Sequence, residues 1–256
     1  MVLNGVDKML AEERFGRILN IIEEEGSAEV SELMEKLNAS ESTIRRDLNA
    51  MDAKGLLVKV HGGAMKKQSN YRTKDDEVEL RKEQNVQQKM VIAKAAAALI
   101  KDEDVVYLDA GTTTDLMINR ELNTKAMYVT NAVGHAKKLS DLGCTVYLLG
   151  GEFKGMTDAI VGEEAVCSLD KYNFTKGFFG TNGVTVKQGF TTPELKEALI
   201  KRKAMEHSKE AYLLADSSKF GEVSSVTFGR MEDGIVLTEK IPQEYKGKKN
   251  IREVGK

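Results

Sequence analysis

Asp109-Ala110-Gly111-Thr112-Thr113-Thr114 joins a carboxylate, a glycine and three consecutive hydroxyls, and a helical pattern begins at Thr114. Backbone N–H groups at a helix start, a glycine that lets the backbone approach closely and threonine hydroxyls together make an anion cradle. No Gly-Lys-Ser/Thr follows, so this is not a Walker A loop. Taken alone, it reads equally well as a threonine-capped helix with no ligand. Similar turns recur: Thr130-Asn131, Gly150-Gly151-Glu152, Gly180-Thr181-Asn182-Gly183 and Asp216-Ser217-Ser218-Lys219. Gly189-Phe190-Thr191-Thr192-Pro193-Glu194 opens a long basic helix. Each turn by itself could simply connect elements. Several of them on one sheet edge suit a small polyhydroxylated anion, with phosphate on amides and a lysine and hydroxyls on Asp or Asn.

A second set lies near the start. Ser42, Arg45, Arg46 and Asn49 fall at i, i+3, i+4 and i+7 on one helical face, while Ile44, Leu48 and Met51 form the apolar face. Arginine forks match the acceptor edge of guanine or a phosphate, and asparagine and serine can read bases or anchor the backbone. Arg45-Arg46 alone would read more simply as a solvated surface. The neighbourhood changes that. Ser27 to Asn38 is an amphipathic pattern with Leu33 and Leu37 inward, and Ala39-Ser40 is a tight connection. Gly55 is placed to stop the following helix, Leu56 to Val60 alternates as a strand, and His61-Gly62-Gly63-Ala64 is a turn with room for close backbone approach. Upstream, Phe15, Ile18, Leu19 and Ile22 stripe a helix over Leu10 to Glu25 that Gly26 ends. Helix, turn, helix and basic hairpin make a winged helix-turn-helix, its second helix set for the major groove of double-stranded DNA. Ser42, Thr43, Arg45, Arg46 and Asn49 are the expected helix contacts, with Lys59, His61, Gly62 and Gly63 in the wing.

The elements that position the first set begin after Met65 to Asp76, a polar stretch that reads as a linker. Lys66, Lys67 and Arg72 within it could touch phosphate, although solvated linker residues are the simpler reading. Glu77 to Ile100 reads as one long helix. From there strands (Val105 to Leu108, Met127 to Val129, Val146 to Leu149, Gly177 to Phe179, Ala211 to Ala215, Ile235 to Leu237) alternate with helices (Thr114 to Asn119, Ala132 to Leu139, Glu163 to Leu169, Glu194 to His207). Such alternation predicts an α/β domain, a mostly parallel sheet covered by helices on both faces, with ligands at the carboxyl ends of the strands.

Thr43-Ile44-Arg45-Arg46-Asp47-Leu48, followed by Gly55-Leu56-Leu57 and His61-Gly62-Gly63-Ala64, closely resembles the DNA-binding signature of DeoR-type bacterial repressors. The resemblance runs on through LDAGTTT, VTNA, LLGGE, VGEEA, GTNG, GFTTPE and LADSSKFG, as in the sensor domain of that family. It implies a winged helix over 9–64, a linker over 65–76 and an effector domain over 77–256 similar to ribose-5-phosphate isomerases and glucosamine-6-phosphate deaminases. By motif position it assigns phosphate to Gly111, Thr112, Thr113 and Lys219, with Thr114 and Gly151 beside them, and sugar contacts to Asp109, Asn131, Glu152 and Asn182. MLAEERF, YNFTKGFFGTNG and GFTTPELKEAL look most like fructose-operon repressors of Gram-positive bacteria, which implies fructose-1-phosphate as effector. One departure stands out: many members have Thr-Asp after the last strand, where this chain has Thr238-Glu239.

Composition is compatible with this. Net charge is −2, which argues against a simple DNA-coating protein. The distribution is uneven: residues 1–41 hold four basic and ten acidic side chains, residues 42–67 six basic and two acidic. Local charge decides phosphate attraction. Cys144 and Cys167 lack zinc-site spacing and are expected to be reduced thiols. No long apolar run and no basic-then-apolar leader is present, so a cytoplasmic protein with no membrane partner is expected. A symmetric operator calls for a homodimer or higher homo-oligomer. The competing reading is a sugar-phosphate isomerase or deaminase carrying an accessory DNA module. The Gly180-to-Gly183 turn offers no general base for that chemistry, and His135 and His207 lie within helices without a partnered carboxylate in a motif. No catalytic residue, metal or cofactor is expected.

Overall fold

The computed structural model describes residues 11–53, 56–65, 71–72 and 78–255, and the chain divides into two compact units, Met1–Ser69 and Asn70–Lys256. The first unit contains helix α1 (Ala11–Glu25), strand β1 (Ser27–Glu29), helices α2 (Val30–Leu37) and α3 (Glu41–Ala53), and strands β2 (Val58–Val60) and β3 (Gly63–Met65). Its core is the predicted one: Ile18, Ile22, Leu33, Leu37, Ile44, Leu48 and Met51 are buried together. Arg14 of α1 pairs with Asp47 of α3, and both side chains are buried. That pair fixes the rear of α3, so its opposite face is left for solvent.

The expected helix over Ser27 to Asn38 starts later than predicted. Ser27–Glu29 instead pairs antiparallel with β3, which also pairs with β2. The physical reason is the wing: Gly62 adopts φ +87° and its carbonyl accepts from Val30 N at 2.8 Å, so the chain before α2 is drawn into the hairpin. Glu29 and Glu32 then form a capping box on α2. A Cβ on Gly63 would lie 2.3 Å from the Ala28 carbonyl oxygen. Gly55 and residues 1–10 lie outside the described residues.

The second unit begins with β4 (Tyr71–Arg72), α4 (Val78–Glu83), α5 (Val86–Ala97), β5 (Val105–Leu108), α6 (Thr112–Met117), β6 (Met127–Thr130), α7 (Val133–Asp141) and β7 (Thr145–Leu148). The hairpin β8 (Glu152–Lys154) and β9 (Ala159–Val161) leads to α8 (Glu163–Ser168), β10 (Phe174–Gly180), β11 (Gly183–Thr185), β12 (Gly189–Thr192), α9 (Leu195–Glu206) and β13 (Ser208–Leu214). The chain closes with β14 (Val223–Ser224), β15 (Val226–Gly229), β16 (Ile235–Thr238) and β17 (Ile251–Glu253).

Seven strands form one parallel sheet in the order β17-β16-β13-β10-β5-β6-β7. Alternate residues feed two cores: Val106, Leu108 and Phe178 pack with Ile92, Ala96, Met117 and Leu139, while Tyr107 and Phe179 pack with Ala165, Ala198, Ile200 and Ala204. Helices thus cover both faces, as the alternation predicted. From β5 the chain winds outward through β6 and β7, and from β10 it winds the other way, so the strand order diverges between β5 and β10. The loops after these two strands splay apart and leave a crevice.

Three expectations need correction here. The long helix over Glu77 to Ile100 is two helices, because Asn85 sits at φ 51° and its amide donates to Asp216 Oδ1 and Ser218 Oγ, both at 3.1 Å. Asparagine tolerates the left-handed region, so propensity alone did not reveal the break. The stretch from Met65 to Asp76 is not all linker: Met65 belongs to β3, and Tyr71–Arg72 pairs with Val223–Ser224. Lys66 and Lys67 lie outside the described residues. Helix α6 starts at Thr112, two residues before the expected start. The short strands β8, β9, β11, β12, β14, β15 and β17 were not foreseen, since segments of two to four residues carry too little periodicity.

Gly63→Ala should destabilise the first unit by about 1–3 kcal/mol, because the obstructing atom is backbone and must move. Urea unfolding of the full chain followed by a probe in the first unit measures this; an unchanged midpoint would contradict it.

Candidate functional site

Two surfaces gather the predicted residues. On α3, Ser42, Arg45, Arg46 and Asn49 are all exposed on one face, and Thr43 is half-buried beside them. Ser40 Oγ lies 2.9 Å from Thr43 Oγ1 and 3.1 Å from Ser42 Oγ, tying the helix start. Arg45 Nε donates to Glu41 Oε1 at 2.7 Å, an exposed pair that a phosphate can displace at little cost. Lys59 of β2 donates through its side chain to Asn49 Oδ1 at 2.7 Å, and its backbone N donates to Asp52 Oδ1 at 3.1 Å. The wing is thereby latched to the helix. His61 and Gly62 are exposed at its tip, whereas Gly63 is buried against β1.

The second surface is the crevice beside β5. Asp109, at the end of that strand, is fully buried; its carboxylate accepts from Lys201 of α9 and from Gly180 N at 3.0 Å. Lys201 Nζ also donates to the Gly180 carbonyl at 3.1 Å and lies 5.6 Å from the Phe228 ring centre. Burial pushes the Asp109 carboxyl up, opposed by Lys201 and by the Gly180 amide. Asn131 is likewise buried and committed: its Oδ1 accepts from Tyr107 Oη at 3.1 Å and Ala110 N at 2.9 Å, and its Nδ2 donates to the Ile160 carbonyl at 3.2 Å. Thr114 Oγ1 donates to the carbonyls of Asp109 and Gly111. These three residues hold the loop in shape from beneath.

Above them lie two cavities that meet at Gly111-Thr112. A narrow one of about 40 Å³ is lined by Thr113, Gly180, Thr181, Asn182, Glu197, Lys89 and Lys219 among others. A wide one of about 560 Å³ is lined by Asp115, Gly134, His135, Lys138, Thr157 and Asp158 among others. Arg81 borders both. Among the sequence-predicted effector residues, Gly111, Thr112, Thr113, Asn182 and Lys219 therefore come together at the narrow cavity. Gly151 and Glu152 sit away from it on the β8–β9 hairpin, where Glu152 pairs with Lys196 at 2.5 Å. Helix α6 is only six residues long, so its dipole is a minor contribution and side-chain cations dominate.

Those cations include one that the motif reading missed. Lys89 is 5% exposed on α5 and donates to the Arg81 carbonyl. Burial lowers its pKa; Asp216 opposes that, and Lys219 and Arg81 lower it further. Glu197 is pushed up by burial, but Lys201 and Lys154 hold it below the usual carboxylate range. Lys89 shares the α5 stripe with Ile92, Ala93 and Ala96, and Lys201 shares the α9 stripe with Ala198, Ala204 and Met205. A lysine on an apolar stripe was the signal that could have found both.

Glu239, the departure noted in the sequence, accepts from Ser217 N at 3.2 and 3.1 Å and from Ser217 Oγ at 2.6 Å. It holds the turn that presents Lys219. His135, read as a core or surface residue, is buried on α7 and faces the wide cavity. Cys144 and Cys167 are free thiols. Among the described residues no His/Cys/Asp/Glu group could hold a metal, and no helix is long and apolar enough to cross a membrane.

Residues 14–70 match the DeoR-like helix-turn-helix domain, and residues 84–239 match the DeoR C terminal sensor domain. The chain is 45% identical over 231 residues to the "Uncharacterized HTH-type transcriptional regulator FruR" of Bacillus subtilis (strain 168), covering 90% of this chain and 91% of that one. It is 35% identical over 241 residues to a lactose phosphotransferase system repressor of Staphylococcus epidermidis, covering 92% and 95%. Among solved structures, ribose 5-phosphate isomerase A of Methanocaldococcus jannaschii aligns at TM-score 0.40 and 19% identity, over 53% of this chain and 55% of that one. The sorbitol operon regulator SorC of Klebsiella pneumoniae aligns at TM-score 0.36 and 9% identity, over 83% and 91%.

The His135 imidazole gives a pH prediction. Burial lowers its pKa from 6.5 to about 4, with Lys138 assisting and Asp115, Asp158 and the Gly111 backbone opposing. Because the unfolded chain protonates first, stability from this group is complete above pH 6.5 and is lost as pH falls toward 4. Between pH 7 and 4.5, wild type should lose on the order of 2–3 kcal/mol more than His135→Gln in urea unfolding. Equal losses would refute the assignment of that acid sensitivity to His135.

Proposed function

As a member of the DeoR family, the chain is a helix-turn-helix transcriptional repressor of sugar operons, and from that premise we propose that a sugar phosphate bound beside β5 controls its hold on operator DNA. The carrying observation is Lys89, a buried lysine whose charge is disfavoured by burial and by Lys219 and Arg81. A phosphate dianion in the narrow cavity relieves that repulsion. It takes Lys89 and Lys219 as cations and Thr112, Thr113 and the Gly111 loop as hydrogen-bond donors, with Asn182 on the wall of the same cavity. Asp109, Asn131 and Thr114 support this loop from below and do not spend their polar atoms on the ligand.

Fructose-1-phosphate is the effector this reading selects, supported by the sequence resemblance to fructose-operon repressors. The α3 face of Ser42, Arg45, Arg46 and Asn49 enters the major groove, and the wing with Lys59, His61 and Gly62 follows the backbone. Thr43 positions the helix start, and Gly63 seats the wing on β1. One such unit covers a short half-site, so the operator-binding form is at least a homodimer, acting in the cytoplasm. The function is regulatory and not enzymatic, a reading supported by relatives named as a transcriptional regulator and as repressors.

Arg45→Ala or Arg46→Ala should each weaken operator binding by about 1–3 kcal/mol where that arginine contacts a base edge or a tightly held phosphate. A base contact relaxes preference at one position, while a phosphate contact lowers the salt slope. Unchanged operator binding in both variants would remove α3 as the reading helix.

Lys89→Met should separate effector binding from folding. It removes a charge that the fold disfavours, so the melting temperature should hold or rise, while affinity for fructose-1-phosphate falls at least tenfold. Operator affinity without effector should persist, leaving a repressor that the sugar phosphate no longer releases. Linkage requires that operator DNA weaken effector binding to wild type by the factor with which effector weakens operator binding. Calorimetry of fructose-1-phosphate with and without operator, beside gel shifts of the variant, checks both. Undiminished effector binding by Lys89→Met would place the phosphate elsewhere.

A further inference from the structure

The phosphate reading uses only the narrow cavity. The wide one, about 560 Å³, opens from the same Gly111-Thr112 loop and is far larger than a phosphate requires. Its charges are substantially matched within the protein. Asp115 takes Lys138 at 2.8 and 2.7 Å, and Asp158 accepts from Gly134 N at 2.9 Å. Gly134 permits that approach, since a Cβ there would sit 2.6 Å from the Asp158 carboxylate.

Among the polar groups of this wall, the His135 imidazole is one that is left over. His135 is 5% exposed, and its Nδ1 has no hydrogen-bond partner among the described residues. Its Nε2 lies 3.5 Å from Asp115 Oδ1, which favours the proton on that nitrogen and leaves Nδ1 as an acceptor. A buried acceptor without a donor costs stability and calls for an explanation. A hydroxyl in the cavity supplies the donor.

Resting on the reading that the phosphate occupies the narrow cavity, we infer that the wide cavity holds the sugar, and that His135 Nδ1 accepts a hydrogen bond from one of its hydroxyls. His135 is then a specificity-determining residue. The neutral imidazole distinguishes a hydroxyl at one ring position from its absence, while Met156 and Ala132 offer apolar surface to the C–H faces of the sugar. A buried acceptor left unpaired rejects a ligand lacking the matching hydroxyl more strongly than shape alone would. Burial keeps the ring neutral through the physiological range, so this contact does not vary with pH there.

The chain has three histidines, His61, His135 and His207, so imidazole nitrogen resonances of the full-length protein can be assigned one by one. The probes are inorganic phosphate, fructose-1-phosphate, fructose-6-phosphate and glucose-6-phosphate. Inorganic phosphate should bind and leave the His135 Nδ1 resonance in place, whereas the tightest hexose phosphate should move it. In calorimetry His135→Phe should weaken that hexose phosphate about tenfold or more while inorganic phosphate stays within twofold. His135→Asn, whose amide overlays the Nδ1 edge, should recover part of the loss. If inorganic phosphate binds but hexose phosphates bind no tighter, or leave Nδ1 unmoved, or ignore the Phe variant, the inference is overturned and the phosphate reading stands. If neither inorganic phosphate nor any hexose phosphate binds, the phosphate reading falls and takes this inference with it.

Discussion

The sensor unit depends on one buried ion pair. Asp109 ends β5, Gly180 ends β10 and Lys201 comes from the middle of α9, and their mutual hydrogen bonds hold all three together where the strand order diverges. A buried charge pair is a poor source of net stability, because desolvation offsets most of the attraction. Its value is in placement. Two neighbouring loops that would splay freely are pinned at their roots, so they diverge from a common point and leave a crevice of fixed width. The stability that tolerates this arrangement comes from the two apolar faces of the sheet, built on Tyr107, Phe178, Phe179 and Tyr212 and the helices over them.

Around that fixed point the polar groups sort into two kinds. Asp109, Asn131 and Thr114 are satisfied by the protein itself and set the shape of the Gly111 loop. Lys89 is charged at a cost, and the acceptor of His135 is unmet. On the proposed reading, groups of the second kind are destabilising in the fold alone and become favourable once a complementary anion with hydroxyls binds. Binding sites commonly store strain in this way, on a scaffold rigid enough to hold it.

The DNA-reading unit handles charge the other way round. Arg45 and Arg46 on α3 stand in solvent, Arg45 beside the exposed Glu41, and on the proposed reading they exchange water and that partner for phosphate or base edges. The rigidity lies behind them, in the Arg14–Asp47 pair and the packed stripe of Ile44, Leu48 and Met51. Pairing of β1 with β3 and the Lys59–Asn49 hydrogen bond then set the wing against the helix. A reading surface of this kind needs positional accuracy more than buried area.

The sequence by itself determined the class of both units. Periodicity in Phe15 to Ile22, Leu33 to Met51 and the alternating segments after Val105 is written in residue type, and burial follows it because apolar area is removed from water wherever the pattern allows. Signature stretches such as the one from Thr43 to Leu48 carried the family, since they combine reading face and core face in one helix. The roles of single polar residues were decided elsewhere. Asp109, Asn131 and Glu152 look alike in the chain, yet two are spent on internal hydrogen bonds and one faces solvent beside Lys196. The break at Asn85 depends on Asp216 and Ser218, more than a hundred residues away. Lys89 and Lys219, 130 positions apart, meet at one cavity only because α5 and the turn after β13 flank the same crevice. Such partners are set by strand order and loop divergence. A polar side chain's work depends on which distant atoms the fold brings within hydrogen-bonding reach, and that is a property of the tertiary structure alone.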